Sequence, residues 1–305
     1  MKLFVYDNAI PHVHDNMPVY VNTVPLSKIG IAQHFEITKD PNQADYFYMG
    51  QMANERFTMV GPHQYEYYTE HTNRHICDIE GEGGMPIPNW LHGAILTTMG
   101  PLKIYSNIEK LFTRPTFSHL LVDIIKNRNE QFELPKHKSF GFRGYLNHRM
   151  RAMTIHSLHN SSFEKELHVN RVWNGPSDVG GKAQNDYIQT MKNNLLSLCP
   201  RGSGIDSVRL IETCYYNRVP ILISDHDYYL VGETNSELDF VYRITGHDLT
   251  PDKITEQLLT IYDTPLDELH DRANAARKYF DTTIRQYFQD PTLYFLKWLK
   301  EHERQ

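Results

Sequence analysis

The sequence predicts an α/β protein with parallel strands, divided into two domains. Three observations carry this. Residues 194–225, NLLSLCPRGSGIDSVRLIETCYYNRVPILISD, read as strand, glycine-broken turn, helix and strand, the pattern of one β-α-β unit of a parallel sheet. The N-terminal part repeats that order, with a strand at KLFVYD (2–7), helical periodicity from Pro25 to His34 and a buried strand from Ala44 to Met49 after the Asp40-Pro41 turn. A chain of 305 residues has room for about two domains of ordinary size.

The elements follow in order. After KLFVYD, a polar stretch carries Pro11, His12 and His14. Two imidazoles so spaced can share one side of an extended segment, as metal ligands do, but no third ligand is evident and loop histidines are more commonly polar surface. The segment GPHQYEYYTEHTNRHICDIEGEGG (61–84) is rich in Tyr, His and acids. Such a mixture suits a sugar-binding cleft, because tyrosine offers an apolar face and a hydroxyl together. Within it Glu80 and Glu82 could share one side if extended, and Glu82 is taken as a candidate general base, a role that needs hydrogen-bond reach to an acceptor hydroxyl and a raised pKa.

Residues 107–128 carry helical periodicity interrupted at Pro115, and the charged, proline-containing 129–138 reads as a linker. Ser139–Arg143 then begins a second domain as a strand, with a helix over Asn147–His159, so that Arg143 at the strand end and Arg149 in the first helical turns fall where ligands bind in open α/β sheets. A strand at Leu167–Trp173, a turn at Gly175-Pro176 and a helix over Asp186–Asn193 lead into the β-α-β unit. Beyond it come a strand at Phe240–Ile244 and helices over Lys253–Tyr262, Leu266–Phe280 and Leu293–Glu303.

Composition narrows the function class. The net charge of −6 argues against a general nucleic-acid binder, which needs a basic face, while leaving room for a local basic pocket. The three cysteines, Cys77, Cys199 and Cys214, match no zinc spacing and fall partly on core elements, which favours reduced thiols and a reducing compartment. No apolar run approaches the roughly 20 residues that span a bilayer, and the N-terminus enters a strand without the charged start and apolar core of a signal peptide.

The turn of the β-α-β unit holds the most pointed chemistry. Gly202 and Gly204 let backbone approach a bound group, and Asp206 or Ser207 can cap the helix whose free N–H groups face the same space. Arg201 enters from the strand end. Arg209 and Glu212, three apart, project from one helix face; such a pair is often merely solvated. Two guanidiniums, glycine amides and one carboxylate fit a nucleotide diphosphate whose hydroxyls meet the acid.

These residues also resemble a known family. Cys199-Pro200-Arg201-Gly202, Ser207-Val208-Arg209-Leu210-Ile211-Glu212 and Val219-Pro220-Ile221-Leu222 look like the signature of the exostosin-like glycosyltransferases, glycosyltransferase family 47. DPNQADYFYM (40–49) and Phe142-Arg143-Gly144 with Arg149 and Arg151 resemble two further family segments in the same order, so the likeness spans roughly residues 2–245. Two departures stand out: Glu212-Thr213 replaces the usual Glu-Ala, and Asn217-Arg218 replaces the glycine ahead of the proline strand.

The resemblance implies a GT-B fold, two Rossmann-like domains facing a cleft, with an acceptor-side domain over 1–135, a nucleotide-sugar domain over 136–285 and a C-terminal helix, 286–305, returning to the first domain. It implies an inverting glycosyltransferase that moves a sugar from a nucleotide diphosphate sugar to a glycan or other hydroxyl acceptor. Arg201 and Arg209 would serve the departing diphosphate and Glu212 the ribose. Arg143, Arg149, Gly202, Ser203, Gly204, Asp206 and Ser207 would complete the donor site. Cofactor and metal are not expected, because arginines and helix amides do the ion's work in that fold. Family members of the Golgi carry a membrane anchor and stem; neither is read here, which points to a cytoplasmic enzyme of a microbe or virus, or to a trimmed chain. Two alternatives stay open: a non-catalytic carbohydrate-binding protein of the same fold, and a metal-dependent sugar transferase using Asp225 and Asp227, which spell Asp-x-Asp after a strand.

Overall fold

The structure, a computed structural model, describes residues 1–7, 26, 28–52, 61–79, 87–99, 110–114, 118–159, 161–170, 181–202, 207–227, 230–231 and 238–302. The chain forms two compact units, the first from Met1–Thr116, Tyr228–Glu233 and Gln286–Gln305, the second from Phe117–Asp227 and Thr234–Arg285. Each is built on a wholly parallel sheet among the described residues.

The first unit's strands are β1 (Lys2–Val5), β2 (Glu36–Thr38), β3 (Tyr46–Met52), β4 (His75–Ile79), β5 (Ile95–Met99) and β6 (Leu111–Arg114), in the order β2-β1-β3-β4-β5-β6. Helix α1 (Lys28–His34) joins β1 to β2. The helix read over 107–128 is corrected here. Leu111-Phe112-Thr113-Arg114 pairs with β5 as a strand, because an aromatic and a β-branched residue ahead of Pro115 suit an extended segment better than a helix. The helical half of that stretch is α2 (His119–Asn127), which belongs to the second unit, so the division falls after Thr116 and ahead of the charged linker.

The tyrosine-rich stretch is largely interior. Tyr65 and Tyr68 are buried, β4 is buried at every position, and with Tyr6, Phe47 and His75 these rings form a packed aromatic cluster. Tyr65 and Tyr68 meet Tyr6 and His75 edge to face, so these buried rings serve the packing of the unit. Glu80, Glu82, His12 and His14 lie outside the described residues.

The second unit holds β7 (Phe140–Tyr145), α3 (Arg149–His159), β8 (Lys165–Asn170), α4 (Lys182–Asn193), β9 (Leu196–Pro200), α5 (Val208–Tyr215), β10 (Val219–Ser224), β11 (Tyr242–Thr245), α6 (Pro251–Asp263) and α7 (Leu266–Tyr279). A π-helical turn, Phe280–Ile284, follows, then α8 (Arg285–Gln289) and α9 (Pro291–His302). The sheet order is β11-β10-β9-β7-β8. Every residue of β9 and β10 is buried, as in a sheet covered on both faces. The core joins Phe140, Phe142, Leu196, Ile221 and Ile223 of the sheet to Met150 and Leu158 of α3 and Ile254 and Leu258 of α6.

Asn217 takes the left-handed conformation (φ 58°) just past α5, the place where the resembled family has glycine. Asparagine tolerates that region better than other side chains, so the departure keeps the turn. Arg218 is buried beside it and donates to the carbonyls of Met191 and Lys192 at the end of α4 and of Tyr216 and Asn217 after α5. No helix among the described residues is long and apolar enough to cross a membrane.

Candidate functional site

The strand order of the second unit fixes where a ligand fits. From β7 the chain moves outward to β8 and then returns to the other side of β7 as β9, so successive connections leave in opposite directions. In open α/β sheets, ligands bind outside the carboxyl ends of the strands at such a reversal. Arg143–Tyr145 end β7 and residues 146–151 follow it, Arg201 and Gly202 follow β9, and Asp225–Asp227 follow β10.

Five arginines gather along this edge. Arg201 continues the ladder, its N–H donating to the Ile223 carbonyl at 2.9 Å, and its Nη1 bonds Asp225 Oδ1 at 2.7 Å. Arg149, whose side chain is 60% exposed, reaches the other oxygen of Asp225 at 3.4 Å. Burial alone would raise the Asp225 carboxyl, but the hydrogen bond and charge of Arg201 outweigh it and hold the pKa below the usual carboxylate range. Arg143 turns to α4, where Nε donates to Thr190 at 3.2 Å and Nη1 lies 3.7 Å from Asp186.

Arg151 and Arg209 are held differently. Helix α5 is buried around nearly its whole circumference, so Arg209 and Glu212 lie in the interior and not in solvent. The Arg209 guanidinium is sandwiched between the rings of Phe142 (4.4 Å) and Tyr187 (4.8 Å) and donates to the Arg143 carbonyl. Arg151 donates to the Tyr145 carbonyl at 2.9 Å, and its buried Nε has no hydrogen-bond partner. Burial, reinforced by the charge of Arg209, lowers the Arg151 pKa to about 10. Among the described residues neither guanidinium has a carboxylate partner. A Cβ on Gly202 would sit 2.8 Å from Arg151 Nη2, so glycine is what lets the turn lie against that cation.

No family model matches the chain, and no curated protein matches it.

Glu212 does not fit the ribose role. It is 2% exposed, with one carboxylate oxygen accepting from Ser118 Oγ and the other from Tyr187 Oη at 2.5 Å. Through Tyr187 it fixes one wall of the Arg209 sandwich. Ser207 is the N-cap residue of α5, but its side chain makes no capping bond there. Ser203, Gly204 and Asp206 lie outside the described residues. The Asp-x-Asp triplet is engaged by cations of the protein itself, Asp225 as above and Asp227 by Arg243 at 2.6 Å.

Three histidines border the cluster. His148 Nδ1 accepts from the Met150 N–H at 3.2 Å, and burial with the nearby Arg201 lowers its pKa. His226 packs edge-on against His247 at 4.4 Å, its pKa also lowered by burial. Arg151 and Tyr187 are the participants that sequence reasoning left out of the site. For Arg151 the signal was at hand, an arginine next to the core residue Met150 in a helix already bearing Arg149; for Tyr187 there was none.

Proposed function

We propose that this chain is an inverting glycosyltransferase of GT-B type that uses a nucleotide diphosphate sugar as donor and a glycan or other hydroxyl as acceptor. The observation that carries the reading is the Arg151–Arg209 pair, two cations without carboxylate partners among the described residues, Arg151 beside Gly202 and Arg209 beside Gly144, where the strand connections diverge. Such partly desolvated charge suits a polyanion, and guanidiniums match phosphate geometry. The likeness of the same turn and helix to the exostosin-like signature supports a diphosphate that leaves from a sugar.

In the reaction so read, an acceptor oxygen attacks the anomeric carbon, the bond to the diphosphate breaks on the opposite side, and the acceptor proton passes to a base. Arg209, Arg201 and Arg151 stabilise the departing diphosphate, with Arg149 beside them. Arg143 places Arg209 through its carbonyl, and Glu212 does so through Tyr187. The donor then belongs to the second unit and the acceptor to the first. Charge on the phosphates is met by guanidiniums, so transfer is expected to persist in a chelator.

The test is thermal unfolding with UDP, GDP and CMP, followed by slow hydrolysis of the matching sugar donors. One of the two diphosphates, UDP or GDP, should stabilise the chain by about 2.7 kcal/mol at a hundredfold excess over its Kd. Arg209→Ala should remove that stabilisation and lower turnover about 100-fold, the effect of losing one preorganised charge stabiliser. A chain stabilised by neither diphosphate, or an Arg209→Ala variant with full activity, would refute the reading.

A further inference from the structure

We infer that Asp225 is a built-in competitor for the ligand's second phosphate and thereby sets the preference of the site between one phosphate and two. The inference rests on the anion-binding part of the functional reading above and not on sugar transfer.

The cations of the carboxyl edge fall into two sets. Among the described residues, Arg151 and Arg209 bond backbone carbonyls of the segment after Phe142, those of Tyr145 and Arg143. Arg201 and Arg149 instead divide the two oxygens of one carboxylate, Asp225, at 2.7 and 3.4 Å. The two sets flank a single dipeptide: the Arg201 side chain goes to Asp225, and the next residue, Gly202, lies against Arg151. The two sets thus border each other at consecutive residues, and we take neighbouring phosphates of one ligand to meet one set each. His148 lies close enough to feel Arg201, Asp225, Arg149 and Arg151 together.

The electrostatic consequence is unequal. A phosphate at Arg151 and Arg209 meets positive charge that, among the described residues, no carboxylate pairs with. A phosphate at Arg201 and Arg149 must displace Asp225, exchanging one anion for another on the same guanidiniums, and it then faces the repulsion of that carboxylate at close range. Asp225 is only 7% exposed, which weakens solvent screening of the repulsion. A second phosphate therefore adds less affinity than its charge alone would give, and removing the negative charge at position 225 should release that affinity.

The experiment is calorimetric titration of the full chain with inorganic phosphate and with pyrophosphate at one fixed ionic strength. Asp225→Asn, nearly isosteric and still a hydrogen-bond acceptor, should tighten pyrophosphate roughly tenfold, the size of one like-charge repulsion, and leave phosphate almost unchanged. Arg149→Gln, at an exposed position that leaves the Arg201–Asp225 pair intact, should weaken pyrophosphate and spare phosphate. If the wild-type chain binds both probes and Asp225→Asn leaves their affinity ratio unchanged or lowers it, Asp225 only holds the arginines in place and the inference is overturned. It is also overturned if Arg149→Gln weakens both probes equally. Failure of the wild-type chain and of Asp225→Asn to bind either probe would remove the anion site itself, and the inference with it. Loss of the glycosyltransferase reading alone, through absent sugar transfer, would leave these binding results standing.

Discussion

At Glu212 a nearly inaccessible carboxylate receives hydroxyl hydrogen bonds from Ser118 and Tyr187, and its effect is felt at Arg209 two contacts away. Replacing it by Gln keeps the volume but turns an amide N–H₂ toward one of two donors. A buried donor left unsatisfied costs about 1–3 kcal/mol, so Glu212→Gln should lose that much in urea unfolding; unchanged stability would mean the buried pairing is not formed. His75 offers a second residue-level test, on pH. Its Nδ1–H donates to the His71 carbonyl and its Nε2 accepts from Tyr6, an arrangement that requires the neutral ring, and burial pushes the pKa from 6.5 down to about 4. A folded pKa below the unfolded one means that the unfolded chain binds more protons, so this contribution is complete above pH 6.5 and is lost as pH falls toward 4. The loss should reach about 3 kcal/mol across that window, followed by the fluorescence of Trp90 in the same unit, and His75→Gln should flatten it.

Among the elements, β7 shows how closely strand and helix ends are fitted. A Cβ on Gly141 would stand 2.8 Å from Asn194 Cβ, and Asn194 is itself fixed by bonds from its Nδ2 to Glu166 and to the Thr190 carbonyl. Gly141→Ala should therefore cost about 1–3 kcal/mol in chemical denaturation, the usual penalty for overpacking. Gly144→Ala meets the Arg209 Nη2 at 3.1 Å and the Phe142 ring at 3.2 Å, wider contacts than that of Gly141, and by pressing on the Arg209 sandwich it should weaken anion binding and cost less stability than Gly141→Ala. Equal destabilisation by the two changes would contradict this distinction. The elements also show what sequence could reveal. Strand β9, helix α5 and strand β10 were legible because local apolar runs and glycine punctuation coincide with their ends. Strand β4 was not, since HICDI carries a histidine and an aspartate whose burial depends on distant partners, Tyr6 for His75 and Tyr48 and Thr97 for Asp78. The same limit applies at the site: the Arg201 turn could be read locally, whereas the enclosure of Glu212 depends on Ser118, 94 residues away.

For the molecule as a whole, the division of the chain decides what can fold alone. A cut suggested by the charged linker would leave residues 136–285, without α2 and the segment that follows it. That piece would lose the buried Leu120, Leu121, Ile124 and Ile125, the Ser118 bond to Glu212, the Phe132 ring against Tyr215 and Tyr216 at 5.3 and 5.0 Å, and the Glu130 carbonyl that accepts from Arg277 at 3.1 Å. Four buried aliphatic side chains at about 1.5–3 kcal/mol each already match the total stability of an ordinary domain. A fragment covering 117–285 keeps all of these contacts, which lie within the second unit. It should unfold cooperatively and bind pyrophosphate, whereas 136–285 should be largely unfolded by circular dichroism and bind none. Equal folding of the two fragments would place α2 outside the cooperative unit and return the boundary to the linker.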